Sequence, residues 1–152
     1  MNRTTRGAGL FCLVLSMAAA GCDFGANSNS TPTAPDQSGV AYAQVDITVG
    51  TGTEATAGTS ATVQYAAWLY SETGPDHKGN ALEQNQFTFA VGTNAVIKGF
   101  DQAVTGMKVG GQRRAIIPPA LAYGSTGYQT IPPNAALVFD IALQNVTTPS
   151  GS

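Results

Sequence analysis

Reactive side chains are scarce in this sequence. It has one histidine, His77, in the polar stretch "ETGPDHKGN" (72–80), and no second histidine to join it. Alone in such a loop, it reads as a solvated residue rather than a base or a metal ligand. Of the two cysteines, Cys12 falls in a leader-like N-terminal stretch, so a processed chain would keep only Cys22. That excludes an intramolecular disulfide and a cysteine-rich metal site. Charge is thin as well, at 11% of residues, and from Cys22 onward five basic residues stand against nine acidic ones. A nucleic-acid binder would show a basic face, and none is expected here. The stretch "GTGTEATAG" (50–58) looks like a phosphate loop, but it lacks the Gly-Lys-Ser/Thr ending and the helix that should follow. Asp101, Asp140 and Glu83 are too scattered to argue for a carboxylate pair. Neither a metal nor a cofactor is expected.

Long apolar runs are missing too, apart from one short one near the start. Arg3 and Arg6 precede the uncharged "GAGLFCLVLSMAAA" (7–20), and small residues then lead into Cys22. This is the layout of a secretory signal peptide, too short for a permanent membrane span. "MAAAGC" (17–22) resembles the lipobox of bacterial lipoproteins, with Ala19 where leucine is usual. The resemblance implies cleavage after residue 21, lipidation of Cys22, and an exported protein anchored to a membrane without spanning it. Each buried methylene of the acyl chains would add about 0.8 kcal/mol to that anchorage. The other reading is an ordinary signal peptide that leaves Cys22 as a free thiol. "DFGANSNSTPTAPDQSG" (23–39) has almost no large apolar side chains, so residues 22–39 read as a flexible tether. A folded domain is expected over 40–147, with a short disordered tail at 148–152.

Period-two alternation dominates that domain. "VAYAQVDITVG" (40–50) alternates through Val45, Ile47 and Val49, and "SATVQYAAWLYS" (60–71) through Val63, Tyr65, Ala67 and Leu69. "NQFTFAVG" (85–92) puts Phe87, Phe89 and Val91 on one side. "QRRAIIPPA" (112–120) is a strand stopped by two prolines that cannot donate ladder hydrogen bonds. In it, Arg113 and Arg114 read as one inward-packed and one solvated side chain. "ALVFDIALQNV" (136–146) places Leu137, Phe139, Ile141 and Leu143 together. One segment breaks the period. In "NAVIKGFDQAVTGM" (94–107) the apolar residues fall at spacings of three and four, which predicts a short helix ended by Gly106. Gly99, inside it, weakens that expectation. The sum is an α+β domain: five or six antiparallel strands, a half-barrel, around one short helix.

A surplus of aromatic and branched side chains remains near glycine turns: Tyr65, Phe87, Val96, Ile97, Phe100, Tyr123, Tyr128, Ile131 and Phe139. By composition alone they are either a half-barrel core or the lining of a cleft. Tyrosines favour the cleft slightly, because a buried hydroxyl needs a partner. Four ordered strings settle the choice: "VIKGF" (96–100), "GMKVGGQRR" (106–114), "LAYGSTG" (121–127) and "IPPNAALVFDI" (131–141). Together with "AGTSATVQYAAWL" (57–69), they make residues 45–146 resemble the FKBP family of peptidyl-prolyl cis–trans isomerases.

The resemblance implies a proline pocket between helix and sheet. Tyr65, Glu83, Ile97, Phe100, Tyr123 and Phe139 would carry the reaction, and Leu82, Phe87, Val96, Tyr128 and Ile131 would hold the substrate. It also implies proline-containing polypeptides as partners and macrolides as inhibitors; no oligomer interface is apparent in the sequence, so a monomer is expected. Phe100 stands where the family usually has tryptophan. Gly124, Gly127 and the Pro132–Pro133 pair would shape a flap that brings Tyr123 and Tyr128 to the rim. The main departure is "GNALEQNQ" (79–86), read as a loop shortened before Phe87, where the family has Phe-Asp-Ser-Ser. Leu82 matches the phenylalanine but offers no aromatic wall; Glu83 matches the aspartate but is one methylene longer. The favoured expectation is an isomerase acting on exported proteins. The other is a proline-binding or chaperone module with little turnover.

Overall fold

The computed structural model describes residues 36–148. The expected signal peptide, the lipidation site Cys22, most of the expected tether and nearly all of the expected tail lie outside those residues. Five strands and one helix form the domain: β1 (Ala43–Thr48), β2 (Ser60–Tyr70), β3 (Lys78–Ala90), α1 (Lys98–Val104), β4 (Gln112–Ile117) and β5 (Leu137–Thr147). The sheet runs β1-β4-β5-β2-β3, and every neighbouring pair is antiparallel. This is the α+β architecture expected from the alternation. No helix among the described residues is long and apolar enough to cross a membrane.

One face of the sheet is lined by what the alternation placed there. Val63, Tyr65 and Ala67 of β2, Ala115 and Ile117 of β4, and Leu137, Phe139, Ile141 and Leu143 of β5 are all buried. The register sets Ala67 and Ala115 on either side of Phe139, two small residues flanking a large one. Helix α1 packs on this inner face, burying Phe100, Ala103 and Val104. It is shorter than the sequence pattern predicts, so Val96 and Ile97 lie just before its first turn. Gly106 ends the segment as expected, with φ +80°. Gly99 is explained by proximity: a β-carbon there would lie 2.3 Å from Cγ2 of Ile117.

Three expectations need correction. First, the alternating apolar residues in and just after β1 face solvent: Val45, Ile47 and Val49 are 58%, 49% and 73% exposed. In the β1–β4 register Asp46 lies opposite Arg113. Arg113 is buried and donates to Asp46 at 2.6 Å and to the carbonyls of Ala103 and Thr105 at 2.9 and 3.2 Å. A buried guanidinium needs paired acceptors, and meeting that need turns the aspartate inward and the valine row outward. Second, Arg114 is not simply solvated. It pairs with Asp140 and with Asp76. Third, "GNALEQNQ" is strand rather than loop, so β3 runs unbroken from Lys78 to Ala90.

The His77 loop is the β2–β3 turn, and it is pinned to the outer face. His77 stacks on Tyr70 at 5.2 Å, and Lys78 lies 4.2 Å above the Trp68 ring while pairing with Asp140. Residues 36–39, assigned to the tether, are also tied in. The Gln37 side chain donates to the Tyr70 carbonyl (3.0 Å) and accepts from the Ala136 N–H (2.8 Å), and its backbone N–H reaches the Asn134 carbonyl (3.0 Å).

The Gly99–Ile117 approach is tested by Gly99→Ala. We expect a loss of about 1–3 kcal/mol by denaturant unfolding, as overpacking costs elsewhere. Adding Ile117→Ala should cost less than the sum of the two single changes. Strict additivity would show that the two residues do not press on each other.

Candidate active site

Between α1 and the inner face of the sheet lies a cleft of about 530 Å³. Its floor is Phe100, 3% exposed. Tyr65 meets Phe100 edge-on with ring centroids 5.6 Å apart, and Phe139 does so at 5.3 Å. Phe87 meets Tyr65 edge-on at 5.5 Å. Such contacts contribute about 0.5–1.5 kcal/mol each beyond burial, so four rings from four elements form one rigid wall. Val96 and Ile97 stand at the lip, held there by the turn into α1. The Ile97 carbonyl accepts from the N–H groups of Phe100 and Asp101, while its own N–H donates to nothing among the described residues.

The β3 side depends on an irregularity. In the β2–β3 register Ala67 faces Glu83 and Trp68 faces Ala81, so Leu82 has no partner. Consecutive strand residues normally point to opposite faces. A bulge lifts that restriction, and both Leu82 and Glu83 line the cleft. The extra methylene of Glu83 does not keep it from a partner: the Tyr65 hydroxyl donates to its Oε1 at 2.5 Å.

The opposite rim is the segment between β4 and β5. A short 3₁₀ turn, Pro119–Leu121, leads into it. Tyr128 and Ile131 exchange backbone hydrogen bonds of 2.9 and 2.8 Å around Gln129 and Thr130. Gly127 sits at φ +69°, and a β-carbon there would lie 2.5 Å from the Ile131 carbonyl oxygen. The turn therefore requires glycine. Tyr123 stacks on Tyr128 at 5.1 Å, nearly parallel. The Tyr123 hydroxyl has no partner among the described residues, which leaves a donor facing the cleft.

All eleven cleft residues singled out from the sequence line this one cavity, and five others join them: Ala67, Asn85, Ala95, Gln129 and Thr130. Ala67 and Asn85 share faces with Tyr65 and Phe87 two residues away, a period-two signal already in the sequence. Gln129 and Thr130 carried no signal beyond their place in the flap. Among the described residues no group of three or more histidine, cysteine, aspartate or glutamate side chains could hold a metal.

Burial, then the hydrogen bond to Glu83 and its charge, push the Tyr65 phenol far above the ordinary tyrosine range. Burial followed by the charge of Glu83 raises Tyr123 as well. Both phenols are therefore protonated donors at neutral pH. A tyrosine whose pKa is raised by folding holds its proton while the unfolded chain loses it, so stability falls as pH rises above about 10. An ultraviolet titration should show Tyr65 ionising after the exposed tyrosines. Glu83→Gln should bring its ionisation earlier, though not to the ordinary value, because burial remains. An unchanged titration in that variant would remove Glu83 as a cause.

The sequence model of FKBP-type peptidyl-prolyl cis-trans isomerases matches residues 51–144. An FK506-binding protein of Neisseria meningitidis serogroup A is 40% identical over 103 residues, covering 66% of this chain and 92% of that protein. FK506-binding protein 3 of Yarrowia lipolytica is 41% identical over 105 residues, but this chain spans only 24% of its length. The crystal structure of a peptidyl-prolyl cis-trans isomerase from Pseudomonas syringae pv. tomato superposes with a TM-score of 0.59 at 31% identity, covering 70% of this chain and 76% of that one.

Proposed function

Because this chain belongs to the FKBP-type peptidyl-prolyl cis–trans isomerase family, we propose that its domain accelerates rotation about X–Pro bonds of polypeptides held in the aromatic cleft. The observation that carries the reading is a buried aromatic floor faced by two donors without partners among the described residues, the Ile97 N–H and the Tyr123 hydroxyl. Amide resonance sets the barrier to X–Pro rotation at about 18–20 kcal/mol. The planar amide is the more polar state, and it loses hydration on entering a cleft floored by Phe100. The twisted state loses less, so the cleft favours it. The proline ring rests on Phe100 between Tyr65 and Phe139. The Ile97 N–H and the Tyr123 hydroxyl, a protonated phenol at neutral pH, hold substrate carbonyls. No nucleophile is needed, which accords with a chain so poor in histidine and cysteine.

We assign the protein to exported polypeptides as substrates, outside the cytoplasmic membrane. The basic start, the short apolar run and "MAAAGC" support a lipid anchor on Cys22. We take a monomer as the working unit. FK506-type macrolides fit the same cleft as competitors. A binding module with little turnover is the second reading, favoured by Leu82 where an aromatic wall would otherwise stand.

Purified protein should accelerate isomerisation of a proline peptide well above the spontaneous rate. Tyr123→Phe should lower kcat/KM about two- to tenfold, the worth of one hydrogen bond. Binding without acceleration would select the binding module, and an indifferent Tyr123 would dismiss its assigned role. For the anchor, Cys22→Ser should abolish fatty-acid incorporation and release the protein from membranes; a variant that stays labelled and membrane-bound would remove Cys22 as the site.

A further inference from the structure

We propose that Glu83 sets substrate preference, selecting X–Pro segments that carry lysine or arginine beside the proline. The inference rests on the isomerase reading and deepens it. Sixteen residues line the cleft, and Glu83 is the one charged side chain among them. It is exposed at the rim, and one of its oxygens accepts from Tyr65 at 2.5 Å. That bond fixes the carboxylate toward the cleft, so little side-chain freedom is lost when a cation meets it.

Among the described residues no cation pairs with it: Lys78 and Arg114 pair with Asp140, Arg114 also with Asp76, and Arg113 with Asp46. Lys98, at the start of α1, makes no ion pair with Glu83. The opposite rim offers Tyr123, Tyr128, Gln129 and Thr130, which carry no charge. Tyr128 is 53% exposed, and a tyrosine face accepts a nearby cation. An anionic flank would meet only repulsion. Regular pairing brings this charge to the cleft: Glu83 lies opposite Ala67, on the same face as Asn85 and Phe87, and the adjoining bulge adds Leu82 beside it.

The test is a peptide series identical except at the residue before, or the residue after, the proline, which is lysine, glutamine or glutamate. For the full chain kcat/KM should fall in that order, about two- to fivefold per step, as for partly exposed ion pairs. The spread should shrink at high salt, a readout that needs no variant. Glu83→Gln should collapse the ratio between lysine and glutamate peptides, and Glu83→Lys should invert it. Equal rates for all three peptides, or an order that survives Glu83→Gln, would overturn the proposal. If no peptide is turned over, the isomerase reading fails, and dissociation constants for the same series then decide the preference by the same order.

Discussion

The cleft exists because α1 sits close to the sheet, and that closeness depends on one missing β-carbon. With Gly99 bare, the helix settles against Ile117, and the next residue, Phe100, becomes the floor on which the other rings stand. Buried groups fasten the helix at both ends. Asp101 accepts the Gly92 N–H with both carboxylate oxygens, at 2.9 and 3.1 Å. Arg113 takes the carbonyls of Ala103 and Thr105 at the far end. A seven-residue helix is too short to be stable alone; its order comes from this packing and these polar ties. Depth of cleft and position of helix are therefore one quantity.

What was legible in the residues was whatever one element decides by itself. The alternation of β2 and β5 marks their buried faces, because both strands lie inside the sheet and must hide one side. The three-and-four spacing marks α1 for the same reason. Contacts between elements were less visible. Nothing in "GNALEQNQ" has strong strand propensity; it is strand because β2 offers it a partner along nearly its whole length. The valine row of β1 reads as a buried face until Arg113, 67 residues away, is seen to claim Asp46. Leu82 and Glu83 are neighbours in sequence, and only a bulge, set by pairing, puts both in the cleft. The flap was legible as a turn from its glycines and prolines, but the polar residues at its tip were not marked as lining.

The outer face and the cleft handle charge in opposite ways. On the outer face Asp140 is partly buried, which would raise its carboxyl. Arg114 and Lys78 outweigh that and hold it below the usual carboxylate range. With Asp76 they form a connected group of charges that ties the β2–β3 turn to β4 and β5, and such networks matter more than isolated surface pairs. In the cleft one carboxylate, Glu83, has no paired cation among the described residues. Cations are spent where the fold needs joining and withheld where a ligand would enter.

Gln37 joins the domain's entrance to the base of the flap. Its three hydrogen bonds reach the end of β2 and the segment from Asn134 to Ala136, where the flap returns to β5. Tension arriving along the chain from upstream of residue 36 would thus be felt at the root of the flap before any strand is strained. The domain's first residues are a mechanical handle attached where the flap returns to β5.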